Sequence, residues 1–169
     1  MIPTGILAPK PGYRTIGGNL KEKRSRANRM AFPFHIDGIS FAPPLYERAD
    51  GRLQIVRDLP LTPFLAGYQY LLVEEALGRF LQKLELPLVR YSPAVVFNPI
   101  TGEEIRSFIR VYADHVFEPG QIHELPIDGF RLFRMGNYYF VSPELKARLK
   151  RKWGKSLRFS EGLGGFAGK

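Results

Sequence analysis

Three histidines, no cysteine and a few carboxylate pairs bound the chemistry that this 169-residue chain can carry. His35-Ile36-Asp37 places an imidazole and a carboxylate two residues apart, on one face of a strand, where an acid could orient a base. His115 and His123-Glu124 lack a second histidine at metal-ligand spacing. Glu74-Glu75 falls at a helix start, where the dipole favours negative charge. Glu103-Glu104 follows a turn, the usual place for solvated charge. Neither pair is made to converge in a cleft, as acid–base work requires. Without cysteine there is no disulfide, thiol nucleophile or thiolate metal site. The closing Gly168-Lys169 is no phosphate loop, because Leu163 stands where that motif needs glycine and no helix follows. Ser25, Ser92 and Ser142 lack the Gly-x-Ser-x-Gly setting of an elbow nucleophile. The expectation is a protein without catalysis, cofactor or metal, and His35 with Asp37 is where an enzyme reading would begin.

The charge pattern points instead to a macromolecular partner. The formal net charge is +9, and it is concentrated in two segments. Residues 1–30 hold seven Lys or Arg against one Glu, and residues 144–158 again hold seven against one. Such clusters attract nucleic acid, an anionic membrane surface or an acidic protein face. No apolar run reaches the roughly 18 residues that a membrane span needs. Ile6-Leu7-Ala8 is too short for a signal-peptide core, so the cytoplasm is the expected location.

The elements that must position these groups follow from periodicity. Residues 1–44, broken by Pro3, Pro9, Pro11, Pro33, Pro43 and Pro44, read as an irregular basic arm. Residues 45–160 read as one mixed α/β domain, with strand–helix–strand units at about 68–97 and 137–160, and 161–169 as a flexible glycine-rich tail. In the first unit Tyr68 to Leu72 reads as a strand, and Val73, Ala76, Leu77, Phe80, Leu81 and Leu84 share one helical face. Leu88 to Phe97 then reads as a strand, Asn98 to Gly102 as a turn, and Ile105 to Tyr112 as its hairpin partner. In the second, Phe130 to Phe133 and Tyr138 to Val141 read as strands around a Gly136-Asn137 turn. Ser142 reads as a helix cap, with Pro143 at the first helical position and Glu144 in the first turn. Leu145, Leu149 and Trp153 form a narrow apolar stripe, Gly154 ends the helix, and Ser156 to Ser160 reads as a strand.

The two units align without a gap at an offset of 68 residues (Tyr70 to Tyr138). Agreement at apolar positions is expected of any two such units. Agreement of Arg90-Tyr91-Ser92 with Arg158-Phe159-Ser160 favours a true repeat. The fold class is α/β or α+β: a mixed β-sheet carrying two helices from the repeated unit, preceded by the basic arm.

The second helix carries Lys146, Arg148, Lys150, Arg151 and Lys152 around its stripe. This is either a solvated face or a contact surface, and the clustering of one sign favours contact. Trp153 reads as core more readily than as an anchor, and one of Tyr138 and Tyr139 must face outward. The candidate partner-binding residues are Arg24, Arg26 and Arg29 of the arm with Tyr138, Lys146, Lys150 and Arg151.

Phe130-Arg131-Leu132-Phe133-Arg134-Met135, Tyr139-Phe140-Val141-Ser142-Pro143-Glu144-Leu145 and Leu157-Arg158-Phe159 resemble the end of a bacterial immunity-protein family. This is the eleventh numbered immunity family of polymorphic toxin systems, with its double-Cys-x-x-Cys-Gly relatives of myxobacterial type. The resemblance covers about residues 68–160. It implies a protein that neutralises a cognate toxin by direct complex formation, here through the toxin's acidic face. The lack of cysteine means that no zinc ribbon carries over, and the basic charge departs from the common acidity of such proteins. The alternative is a nucleic-acid-binding protein using the arm and the basic helix.

Overall fold

The computed structural model describes residues 31–39, 44–57, 59–67 and 69–166. Two antiparallel hairpins, each running straight into a helix, organise them. The first joins β4 (Phe64–Gly67) to β5 (Tyr70–Glu74), which leads into α1 (Glu75–Lys83). The second joins β8 (Leu132–Met135) to β9 (Tyr138–Val141), which leads into α2 (Pro143–Trp153). Each helix returns to a strand of the sheet that it left, β6 (Val89–Phe97) after α1 and β10 (Leu157–Glu161) after α2. The remaining strands are β1 (Phe34–Gly38), β2 (Leu45–Glu47), β3 (Leu53–Ile55) and β7 (Glu104–Ala113).

The class is mixed α+β, and the strands form two sheets instead of the single sheet expected. One has the order β10-β1-β9-β8 and the other β2-β3-β6-β7-β5-β4. Among these pairings only β3 with β6 is parallel.

The repeat extends beyond strand–helix–strand. Phe64 pairs with Val73 and Gly67 with Tyr70, and in the second hairpin Leu132 pairs with Val141 and Met135 with Tyr138. The whole hairpin therefore recurs at the same offset of 68 residues (Phe64 to Leu132), and the helices start at Glu75 and Pro143 in the same register. In both sheets one strand separates the hairpin from the strand after the helix. In the larger sheet it is β7, where Ile109 faces Val73 and Val111 faces Tyr91. In the smaller sheet it is β1, where Phe34 faces Val141 and Ile36 faces Phe159. The two halves thus share one topology, but the intervening strand follows its unit in one half and comes from far upstream in the other.

Several sequence expectations change accordingly. The expected arm over 1–44 includes Phe34–Gly38, an inner strand of a sheet, in which Phe34 and Ile36 face the main core and His35 faces Phe140 on the other side. Val73 is a strand residue, not helical. The apolar run of β5 is buried on both faces, since Leu71 and Val73 enter one core and Tyr70 and Leu72 another. The strand expected at Phe130 starts at Leu132. Within the expected flexible tail, Gly164–Phe166 forms a 3-10 turn, Gly162 is buried and Leu163 packs on the cluster around Phe133. Gly154 ends α2, but with φ −61 and not in the left-handed form.

The main core lies between the two sheets' inner faces and the helices. Leu77 and Leu81 of α1 meet Leu145, Leu149 and Trp153 of α2, with Ile36, Val73, Val111 and Val141 from the strands. Phe80 and Trp153 bring the helices together at 4.9 Å between rings, so Trp153 is core. Full burial of each such side chain is worth about 1.5–3 kcal/mol. Phe117, Ile122 and Leu125, from the loop around a 3-10 helix (Pro119–Glu124), cover Phe133 and Phe140 on the other face of the smaller sheet. Among the described residues no helix is long and apolar enough to cross a membrane.

Candidate functional site

α2 is built by its own sequence. The Ser142 hydroxyl accepts from the Leu145 amide at 3.4 Å and from the Arg131 amide at 3.1 Å, and donates to the Gly129 carbonyl at 2.6 Å. One buried side chain therefore caps the helix and ties down the preceding loop. Leu145, Leu149 and Trp153 turn inward. Arg148, Lys150, Arg151 and Lys152 are exposed. Lys146 lies flat against the sheet, its Nζ 3.4 Å from the centre of the Phe34 ring. Burial lowers its pKa, the charge of Lys150 adds to this, and Glu161 opposes it. The Arg148 guanidinium lies over the Phe130 ring, 5.5 Å from its centre, and the Lys152 Nζ over the Trp153 ring at 4.6 Å.

Among the described residues none of these five cations takes part in an ion pair. Seven arginines outside α2 behave differently, although Arg134 of β8 is not one of them. Arg48 and Arg52 pair with Asp50, Arg79 with Glu75, Arg90 with Asp114, Arg106 with Glu104, Arg110 with Glu47 and Arg158 with Asp37. The positive charge of α2 is thus held in no ion pair with a described residue, and Glu161 acts on Lys146 only from a distance.

The structure brings Lys146, Lys150 and Arg151 together on α2. It sets Tyr138 apart, on the opposite face of the smaller sheet, where its ring meets His35 at 5.7 Å. Alternation decides this: Tyr139 and Val141 point into the core that α2 covers, so Tyr138 and Phe140 point away. Arg24, Arg26 and Arg29 lie outside the described residues.

His35 and Asp37 do share a face, but Asp37 does not orient the imidazole. Its carboxylate accepts from the Gly38 amide at 2.8 Å and faces Arg158 at 3.4 Å, while His35 Nδ1 lies 3.5 Å from Ser160 Oγ. These residues line a cleft of about 610 Å³ together with Tyr138, Asn137 and Gly67. The carboxylate pairs are engaged elsewhere, with Glu75 on Arg79 and Glu104 bridging Arg52 and Arg106. His115 and His123 pack edge-on against Phe133 and Phe32. Among the described residues no group of three or more His, Cys, Asp or Glu could hold a metal ion.

Sequence reasoning missed a second polar cleft, where Arg134 and Tyr139 meet Gln69, Tyr112 and Asp114. No short-range pattern could find it, because these residues come from three strands and a turn. Compared with known proteins, the chain matches no family model, no curated protein and no solved structure.

Proposed function

We propose that this protein acts by forming a complex, through α2, with a macromolecule that presents an acidic face, and that this partner is the toxin of a polymorphic toxin system. The observation that carries the reading is the contrast in charge pairing: the strand arginines Arg90, Arg106, Arg110 and Arg158 are matched to carboxylates and Arg134 is the exception, while all five cations of α2 have no ion-pair partner among the described residues. Solvated like charges on one face repel one another and are a cost to the free protein. An acidic counterpart relieves that cost, speeds encounter and fixes register. The resemblance over residues 68–160 supports the choice of a toxin as partner and of occlusion, not chemistry, as the mode of action.

The test is to mix the purified chain with the polypeptide encoded beside it and follow complex formation by gel filtration and calorimetry, with a 20-base-pair DNA duplex as the second arm. A stoichiometric complex that Lys150→Glu/Arg151→Glu weakens at least about tenfold is expected, since close charge pairs at interfaces couple by more than about 1.5 kcal/mol. No complex, or one indifferent to the double variant, overturns the reading. Salt-steep binding to the duplex alone replaces it with nucleic-acid binding.

A further inference from the structure

The second polar cleft, of about 310 Å³, opens where the end of β7 meets the β8–β9 hairpin and the Gln69 turn. Three guanidinium groups stand in or beside it. Arg90 gives Nε at 2.6 Å and Nη2 at 2.9 Å to Asp114, so that pair is neutral. Arg110 is taken up by Glu47. Arg134 is in no ion pair among the described residues, and its guanidinium makes one long hydrogen bond, Nη1 to the Gly136 carbonyl at 3.4 Å. It leaves the cleft with a net positive charge.

The floor of the cleft is Tyr139. The residue is only 3% exposed, yet among the described residues its hydroxyl has no hydrogen-bond partner. The hydroxyl is the part of the side chain that opens onto the cleft, where it is free to donate to a bound group. Its ring lies within electrostatic reach of Arg134 and Arg110, and burial raises its pKa, which keeps it a donor at neutral pH. Gln69 is held at the rim in the left-handed region, φ 63, with its carbonyl fixed by Arg110 at 3.1 Å.

We propose that this cleft binds a small oxyanion, a carboxylate or a phosphate, between the Arg134 guanidinium and the Tyr139 hydroxyl. The oxyanion accepts from both, which gives the phenol a charged acceptor and neutralises the unpaired cation. The internal repeat supplies a control. In the other half Arg158 and Asn137 occupy the positions of Arg90 and Gln69, but Ala66 occupies that of Arg134. That cleft, about twice as large, holds Arg158 paired with Asp37 and, among the described residues, no second guanidinium.

The experiment is a titration of the full chain with inorganic phosphate and, separately, with acetate, at constant ionic strength held by sodium chloride, followed by amide and arginine side-chain NMR. Saturable shifts at Gln69, Ala113, Asp114 and the Arg134 Nε are expected, with Asp37 and Arg158 unmoved. Saturation by both anions assigns a site for either, and saturation by one assigns that one. Arg134→Met should weaken binding at least about tenfold and Tyr139→Phe about fivefold, the ranges for a charged and a neutral hydrogen bond. Both keep the side chain's bulk, and unchanged spectral dispersion shows that they fold. Shifts that never saturate, that chloride reproduces, or that survive Arg134→Met overturn the proposal.

Discussion

Arg110 and Glu47 lie 63 residues apart and meet through two parallel contacts, Nη1–Oε1 at 2.6 Å and Nη2–Oε2 at 2.9 Å. The pair fastens the edge strand β2 across the larger sheet to β7. The arginine side chain is only 14% exposed, and its buried Nε has no partner. Glu47→Gln would leave that cation without its counter-charge, and a loss of about 1–3 kcal/mol is expected. The hydrogen bond from Arg110 lowers the pKa of Glu47, with desolvation opposing it. A carboxylate that titrates lower in the folded than in the unfolded chain contributes fully above the unfolded value, about 4.3, and ceases to contribute as pH falls through the folded one. The gap in urea midpoint between the parent and Glu47→Gln should therefore be full at pH 7 and shrink from about pH 5 downward. A gap independent of pH would mean that the glutamate acts only by packing.

Ser142 carries a different load, for it serves three backbone groups at once. Ser142→Ala removes the cap of α2, worth about 1 kcal/mol. It also leaves the Gly129 carbonyl and the Arg131 amide without this partner. A total loss of about 2 kcal/mol is expected by chemical denaturation, more than a cap alone would give. Ser142→Thr should recover most of it if the hydroxyl is the cause.

The reach of the sequence follows from how local each signal is. α2 was legible from Ser142-Pro143-Glu144 and the Leu145–Leu149–Trp153 stripe, because caps and stripes lie within a few residues. The Gly136 turn was legible for the same reason, and the repeat because two stretches could be laid side by side. β1 was not legible. Its five residues stand among prolines, and both its partners lie more than a hundred residues downstream. Val73 was misread because a run of apolar residues fits either period when both faces of a strand are buried. The basic helix could be seen in the sequence, but that its cations lack ion-pair partners could not. The meeting of Arg134 with Tyr139 is a product of tertiary packing alone.

Gly78 shows how closely α1 rests on its sheet. A Cβ there would lie 2.7 Å from Ile109 Cδ1 and 2.9 Å from Ile109 Cβ. Alanine is favoured over glycine in a helix by about 0.8–1.0 kcal/mol. Overpacking of this kind costs about 1–3 kcal/mol. The clash should win, so Gly78→Ala is expected to lower stability by about 1 kcal/mol. In an Ile109→Ala background the same change should cost measurably less, because the Cδ1 and Cγ1 atoms in its way are gone. Equal costs in the two backgrounds would place the strain elsewhere, and a thermal double-mutant cycle separates the cases.

The cations of α2 should behave unlike any of these. Neutralising Lys150 and Arg151 together breaks no ion pair with a described residue. It relieves like-charge repulsion between Lys146 and Lys150, about 0.2–0.5 kcal/mol for an i,i+4 pair. It also removes favourable charge from the last turn, about 0.3–1 kcal/mol. These nearly cancel, so Lys150→Gln/Arg151→Gln should leave stability within about 0.5 kcal/mol of the parent. The small residual should fade with added salt, since both effects are screened. Loss of complex formation at unchanged stability is the signature of charge that serves a partner. A large loss of stability instead would mean that these cations hold the fold, and the binding role proposed for α2 would lose its basis.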